Sequence, residues 1–191
     1  MTIPNMLLVG STARNTGKTT FCLDFIERWG CEYNVVGLKV TTIREGEGVC
    51  HHGDDGCGAC ASFSGKFEVI EETDLKGKKD TNMLLAAGAS RVFWIRTLKE
   101  YAAEAFEAVK AYIPTDSIIT CESNVLSDLI TPGVSVLMHK TGIDNIKPSA
   151  EAFKQKAGFV CDIYEPNAIA AVLDKIVVTS ERGQISLKKK D

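Results

Sequence analysis

Apolar positions along this chain come in short unbroken runs that alternate with stretches spaced three and four apart. Residues 5–10 (NMLLVG) form such a run, as a strand covered on both sides would. Residues 18–29 follow with Phe21, Phe25 and Trp29 on one helical face and Asp24 and Arg28 elsewhere, so an amphipathic helix is expected. The same reading gives strands at 34–41, 67–70, 91–95, 117–121 and 134–139, and helices at 80–87, 99–113, 150–157 and 167–178. Strand followed by helix, repeated, predicts an α/β fold of three layers around a mainly parallel sheet. Between 43 and 65 the periodicity disappears into Gly, Cys, His and acidic residues. A long excursion of this kind inside a compact domain is usually functional or disordered.

Composition narrows the class. With 191 residues, 45% hydrophobic and 25% charged, the chain suits a single globular domain carrying a Cys/His-rich insertion at about 44–65. A net charge of -3 gives no overall basic field, so neither nucleic acid nor an anionic membrane is an expected partner. No apolar run approaches the roughly 20 residues of a membrane span, and no export signal is recognisable, so a cytoplasmic location is expected. Seven cysteines in such a setting read as reduced thiols or metal ligands rather than as a disulfide framework.

The first chemical signal sits between the first strand and the first helix, in Gly10-Ser11-Thr12-Ala13-Arg14-Asn15-Thr16-Gly17-Lys18-Thr19-Thr20. Backbone N–H groups curling at a helix N-terminus suit a phosphate, a lysine there reaches the outer phosphates, and the Thr19 hydroxyl suits Mg²⁺. The phosphate-binding set is therefore Arg14, Asn15, Thr16, Gly17, Lys18, Thr19 and Thr20. The usual pattern, G-x-x-x-x-G-K-[ST], has its first glycine replaced by Thr12, with Gly10 two residues earlier. A chance Gly-Lys-Thr at a helix start is the competing explanation.

Magnesium needs further oxygen ligands, and carboxylates at strand ends are the places to look. Glu122 directly follows the predicted strand 117–121, at the sheet edge that carries the loop; Asp80 opens a helix, where an ordinary N-cap is the other reading. Together with Cys121-Glu122-Ser123-Asn124 and Lys79-Asp80-Thr81 leading into Leu84-Leu85-Ala86-Ala87-Gly88-Ala89, the loop resembles the P-loop family of molybdopterin-guanine dinucleotide biosynthesis protein B, and more distantly dethiobiotin synthetase. The resemblance implies a P-loop NTPase fold over residues 1 to about 157. It also implies magnesium held by Thr19, Asp80 and Glu122, catalysis resting on Lys18, Asp80 and Glu122, ATP or GTP as ligand, and a homodimer. The histidine-rich segment of that family is here Glu45-Gly46-Glu47-Gly48-Val49-Cys50-His51-His52, which leaves the substrate open.

The second signal is Cys50, His51, His52, Cys57 and Cys60 within a Gly-rich stretch of eleven residues. Thiolates with imidazoles suit Zn²⁺, three or four thiolates suit an iron-sulfur cluster, and Cys57-x-x-Cys60 is a chelating pair. A mobile loop of free thiols and a redox Cys-x-x-Cys pair are the alternatives. Cys22, Cys121 and Cys161 fall in apolar surroundings and are expected in the core. Three functions follow as expectations. One is Mg-dependent nucleotide hydrolysis or phosphoryl transfer in a step of cofactor biosynthesis. Another is a metal carrier or sensor whose cysteine loop is gated by nucleotide, and the last is an adaptor that binds nucleotide without turnover.

Overall fold

The computed structural model describes residues 1–43, 63–142, 148–181 and 183–190, leaving aside the side chains at 148 and 149. Its chain order is β1 (Thr2–Ser11), α1 (Lys18–Trp29), β2 (Asn34–Ile43), β3 (Phe67–Glu71), α2 (Asp80–Ala86), β4 (Arg91–Leu98), α3 (Ala102–Lys110), β5 (Ser117–Glu122), β6 (Thr131–His139), α4 (Pro148–Lys156), β7 (Phe159–Asp162), α5 (Ala168–Leu173), β8 (Ile176–Glu181) and β9 (Gln184–Lys189). A seven-stranded sheet runs β3-β4-β2-β5-β1-β6-β7, parallel throughout except for β3, which pairs antiparallel with β4 at one edge.

Helices cover both faces, so the fold is α/β with a mostly parallel central sheet, compatible with three layers. On one face Leu7 and Val9 of β1 meet Phe21, Phe25 and Ile26 of α1, Leu84 of α2 and Leu173 of α5. On the other, Met6 and Leu8 meet Ala105 and Phe106 of α3 and Phe153 of α4. The alternation of β1 explains this: successive side chains enter opposite faces, and both are buried. In α1 the apolar positions 21, 22, 25, 26 and 29 are all buried, and each large side chain removed from water contributes about 1.5–3 kcal/mol. Phe25 and Trp29 also pack ring to ring with centroids 4.5 Å apart.

Most expected elements are present, but three expectations need correction. The helix expected at 167–178 ends at Leu173, and Ile176–Glu181 is a strand that turns at Gly183 (φ 80°) and pairs antiparallel with Gln184–Lys189. The β-branched run Ile176-Val177-Val178-Thr179 is stiff at χ1 and prefers a pleated surface. Phe159–Asp162, not anticipated, adds a parallel strand beside β6; at four residues it is too short to show a period. The helix expected at 99–113 is a 3₁₀ turn at Lys99–Tyr101 followed by α3, which ends at Lys110. No helix among the described residues is long and apolar enough to cross a membrane.

The topology places one crevice. From β1 the chain crosses through α1 to β2 on the far side of β5, whereas from β5 it crosses to β6 on the opposite side of β1. Connections that diverge in this way leave a gap at the C-terminal ends of the strands, where open α/β sheets bind their ligands.

Candidate functional site

At that edge lies a cleft of about 550 Å³ lined by Asn15, Thr16, Gly17, Lys18, Thr19, Thr20, Lys39, Asp80, Glu122, Ile163 and Ile169. The segment after β1 turns on two left-handed residues, Asn15 (φ 53°) and Gly17 (φ 77°), the second of which is the N-cap of α1. Position 12 has no positive φ, which explains why Thr12 can stand where the usual pattern has glycine. Thr12 is buried, and its N–H donates to Met138 O at 3.0 Å, fastening the segment to β6.

Nothing in the sequence caps α1 with a side chain. Gly17 offers none, and the first turn holds no acidic residue. The first intrahelical bond runs from Phe21 N–H to Gly17 O at 2.9 Å, so the N–H groups of Lys18, Thr19 and Thr20 precede the ladder at the end of the helix that faces the cleft. This end carries the positive pole of the helix dipole. The Lys18 ammonium donates to Ser11 Oγ at 2.7 Å, and Ser11 Oγ donates in turn to Ala13 O at 2.8 Å, which bends the side chain back along its own loop. Burial holds the Lys18 pKa below the ordinary lysine value, against the upward pull of Glu122.

Opposite the loop stands an ionic triad. Glu122, the last residue of β5, is only 2% exposed, while Asp80 is the first residue of α2 and partly open to water. The Lys39 ammonium lies between them, paired with Asp80 and 3.3 Å from Glu122 Oε2. Burial acts to lower the Lys39 pKa, but Glu122 and Asp80 together carry it above the ordinary value. The other oxygen, Glu122 Oε1, is buried and has no hydrogen-bond partner among the described residues. An acceptor so placed costs folding free energy, on the order of 1–3 kcal/mol, unless something completes it.

Among the expected residues, Asn15, Thr16, Gly17, Lys18, Thr19, Thr20, Asp80 and Glu122 meet around this cleft. Arg14 does not line it and is exposed. Cys50, His51, His52, Cys57 and Cys60 lie outside the described residues. Cys22, Cys121 and Cys161 are core residues as expected, with 0%, 0% and 1% exposure, and burial pushes the Cys161 thiol up to about 11. Among the described residues no three His, Cys, Asp or Glu side chains gather as a metal-ligand set.

Sequence reasoning missed Lys39. A single charged residue in the apolar run of β2, one position beyond the buried Leu38, was the available signal. Its register partner on β5 is Glu122.

The chain matches no protein-family model, no curated protein and no solved structure. What it does must therefore be argued from this cleft.

Proposed function

We propose that the chain is a P-loop nucleotide-binding protein that takes ATP or GTP with Mg²⁺ and hydrolyses it or transfers its phosphoryl group. One observation carries this reading: an uncapped helix N-terminus, entered from a buried strand through a left-handed glycine, opens on the same cleft as two lysines and two carboxylates. Anions bind helix N-termini because unpaired N–H groups and the dipole both favour negative charge. The Gly17-Lys18-Thr19-Thr20 sequence adds an ammonium and hydroxyls to that end.

The donor set suits magnesium, a hard cation that prefers oxygen and keeps several waters. Thr19 Oγ1, Asp80 and Glu122 would hold it, and the unpartnered Glu122 Oε1 supports that assignment. When bound, the ion neutralises charge on the phosphate oxygens. The chain's own contribution is positioning: loop N–H groups orient the phosphates, and Lys18 takes up their charge. Lys39 neutralises the carboxylates of Asp80 and Glu122, between which it lies, and would turn to a phosphate oxygen if those carboxylates took the cation. The resemblance to molybdopterin-guanine dinucleotide biosynthesis protein B supports a role in cofactor biosynthesis. Calorimetric titration with ATP and GTP in Mg²⁺ tests the reading, and the absence of binding at millimolar nucleotide overturns it.

A second reading makes the chain a nucleotide-gated metal carrier or sensor. In its favour, β2 leads from Lys39 to Ile43, immediately before the segment that holds Cys50, Cys57 and Cys60. Metal analysis and optical spectra of protein purified without oxygen decide it: iron or zinc in stoichiometric amount supports it, and metal-free protein removes it.

A further inference from the structure

The root of the phosphate loop is held by a side chain from the segment that follows β5. Asn124, two residues after Glu122, accepts a hydrogen bond from Ser11 N–H at 2.8 Å through Oδ1 and donates one to Ser11 O at 2.8 Å through Nδ2. Both backbone groups of one residue are thus paired by a single amide, as a neighbouring strand would pair them. The next bond on the same path is Ser123 N–H to Val9 O at 3.0 Å, which continues the β5–β1 ladder beyond its register pair Val9–Glu122.

Gly10 belongs to the same arrangement. A side chain there would run into the Phe153 ring and would stand 2.8 Å from Asn124 Oδ1. The glycine that the usual loop pattern carries at position 12 is absent, and the one at position 10 makes room for the clamp instead.

From Ser11 the path leads inward. Its backbone is fixed by Asn124, and its hydroxyl is the partner of the Lys18 ammonium at 2.7 Å. Asn124 therefore stands two residues from the buried carboxylate on one side and one residue's width from the lysine on the other. We infer that Asn124 is a positioning residue that locks the phosphate loop in register with Glu122, so that Lys18 and the carboxylate face one bound Mg-nucleotide together. This rests on the nucleotide reading given above, and Asn124 itself does not line the cleft.

The test uses the full chain and Mg-ATP or Mg-GTP, whichever wild type binds. Asn124→Ala loses both bonds and is expected to bind nucleotide at least tenfold more weakly. Asn124→Asp keeps the acceptor toward Ser11 N–H but sets a carboxylate against Ser11 O. Protonated, that carboxyl regains a donor and mimics the amide. The affinity ratio of Asn124→Asp to wild type is therefore expected to climb as pH falls from about 7 to about 4, into the range where an ordinary carboxyl of pKa about 3.9 takes up its proton. A residue that only fills space gives no such profile. If wild type binds no nucleotide, the nucleotide reading itself fails and takes this inference with it. If wild type binds and both variants match it, or the Asn124→Asp ratio stays flat with pH, the clamp does not position the loop and the inference alone is overturned.

Discussion

The two ends of β1 each open on a cavity, and the cavities differ in kind. At the N-terminal end, about 370 Å³ is enclosed by Leu8, Ile130 and Phe153 below and Met1, Leu129 and the Asp128–Lys156 pair at the rim. Its Asp128–Lys156 ion pair sits in water, with both side chains more than 40% exposed. At the C-terminal end the cleft concentrates Lys18, Lys39, Asp80 and Glu122, with Glu122 almost wholly buried. Folding gains little from gathering buried charge, because desolvation offsets most of the attraction. The difference teaches that chemistry, more than cavity volume, separates a site from a gap between elements.

Breaking the triad should give the largest effect. Lys39→Ala leaves Glu122 buried without its cation and Asp80 facing it, and the expected loss is about 3 kcal/mol or more in urea unfolding. The double variant Lys39→Met with Glu122→Gln removes both charges and is expected to recover most of that loss. Equal losses in the single and double variants would mean that the unpaired Glu122 charge is not the source of the loss.

Next in size is Lys18→Ala. Loss of a charge-assisted contact to the phosphates predicts about a hundredfold weaker Mg-nucleotide binding, roughly 2.7 kcal/mol. Apo stability changes little beyond the bond to Ser11 Oγ. Unchanged affinity would remove Lys18 from the site.

The same lysine offers a finer test. Its pKa is lowered by burial in the free protein, and a bound phosphate would raise it. Nucleotide binding should then take up protons between the lowered value and the ordinary 10.5, with uptake growing as pH rises from neutrality into that window. Titration calorimetry in buffers of different ionisation enthalpy measures this. Lys39 has the opposite sign: its raised pKa makes a stabilising contribution that is present below 10.5 and is lost only as pH rises through the higher folded value.

What was legible in the sequence divides by how local each signal is. The loop at residues 10–20 was legible as a strand-to-helix turn because its signal is local: a buried run, a glycine and a lysine at a helix start are contiguous. Asp80 and Glu122 were legible as helix-start and strand-end carboxylates, respectively. Lys39 and Asn124 were not, because each acts on a partner distant in the chain, and only the β2–β5 and β1–β5 pairings bring them together. The closing hairpin was misread for a related reason. Ala168–Leu173 is helical and apolar, and nothing at Asp174-Lys175 marks a stop as strongly as glycine would, so the helical period ran on into the β-branched residues.

The smallest expected effect lies at the opposite edge and serves as the control. Lys156 Nζ pairs with Asp128 Oδ1 at 2.6 Å, yet both side chains are solvated, and such pairs contribute about 0–1 kcal/mol. Lys156→Ala should therefore shift urea stability by less than about 1 kcal/mol, with the shift shrinking further in salt. It should leave Mg-nucleotide affinity at the wild-type value, since neither Lys156 nor Asp128 lines the cleft that holds Lys18, Asp80 and Glu122. A loss of affinity comparable with that of Lys18→Ala would show that charge at either end of the sheet governs nucleotide binding, and the contrast between the two cavities would no longer locate the site.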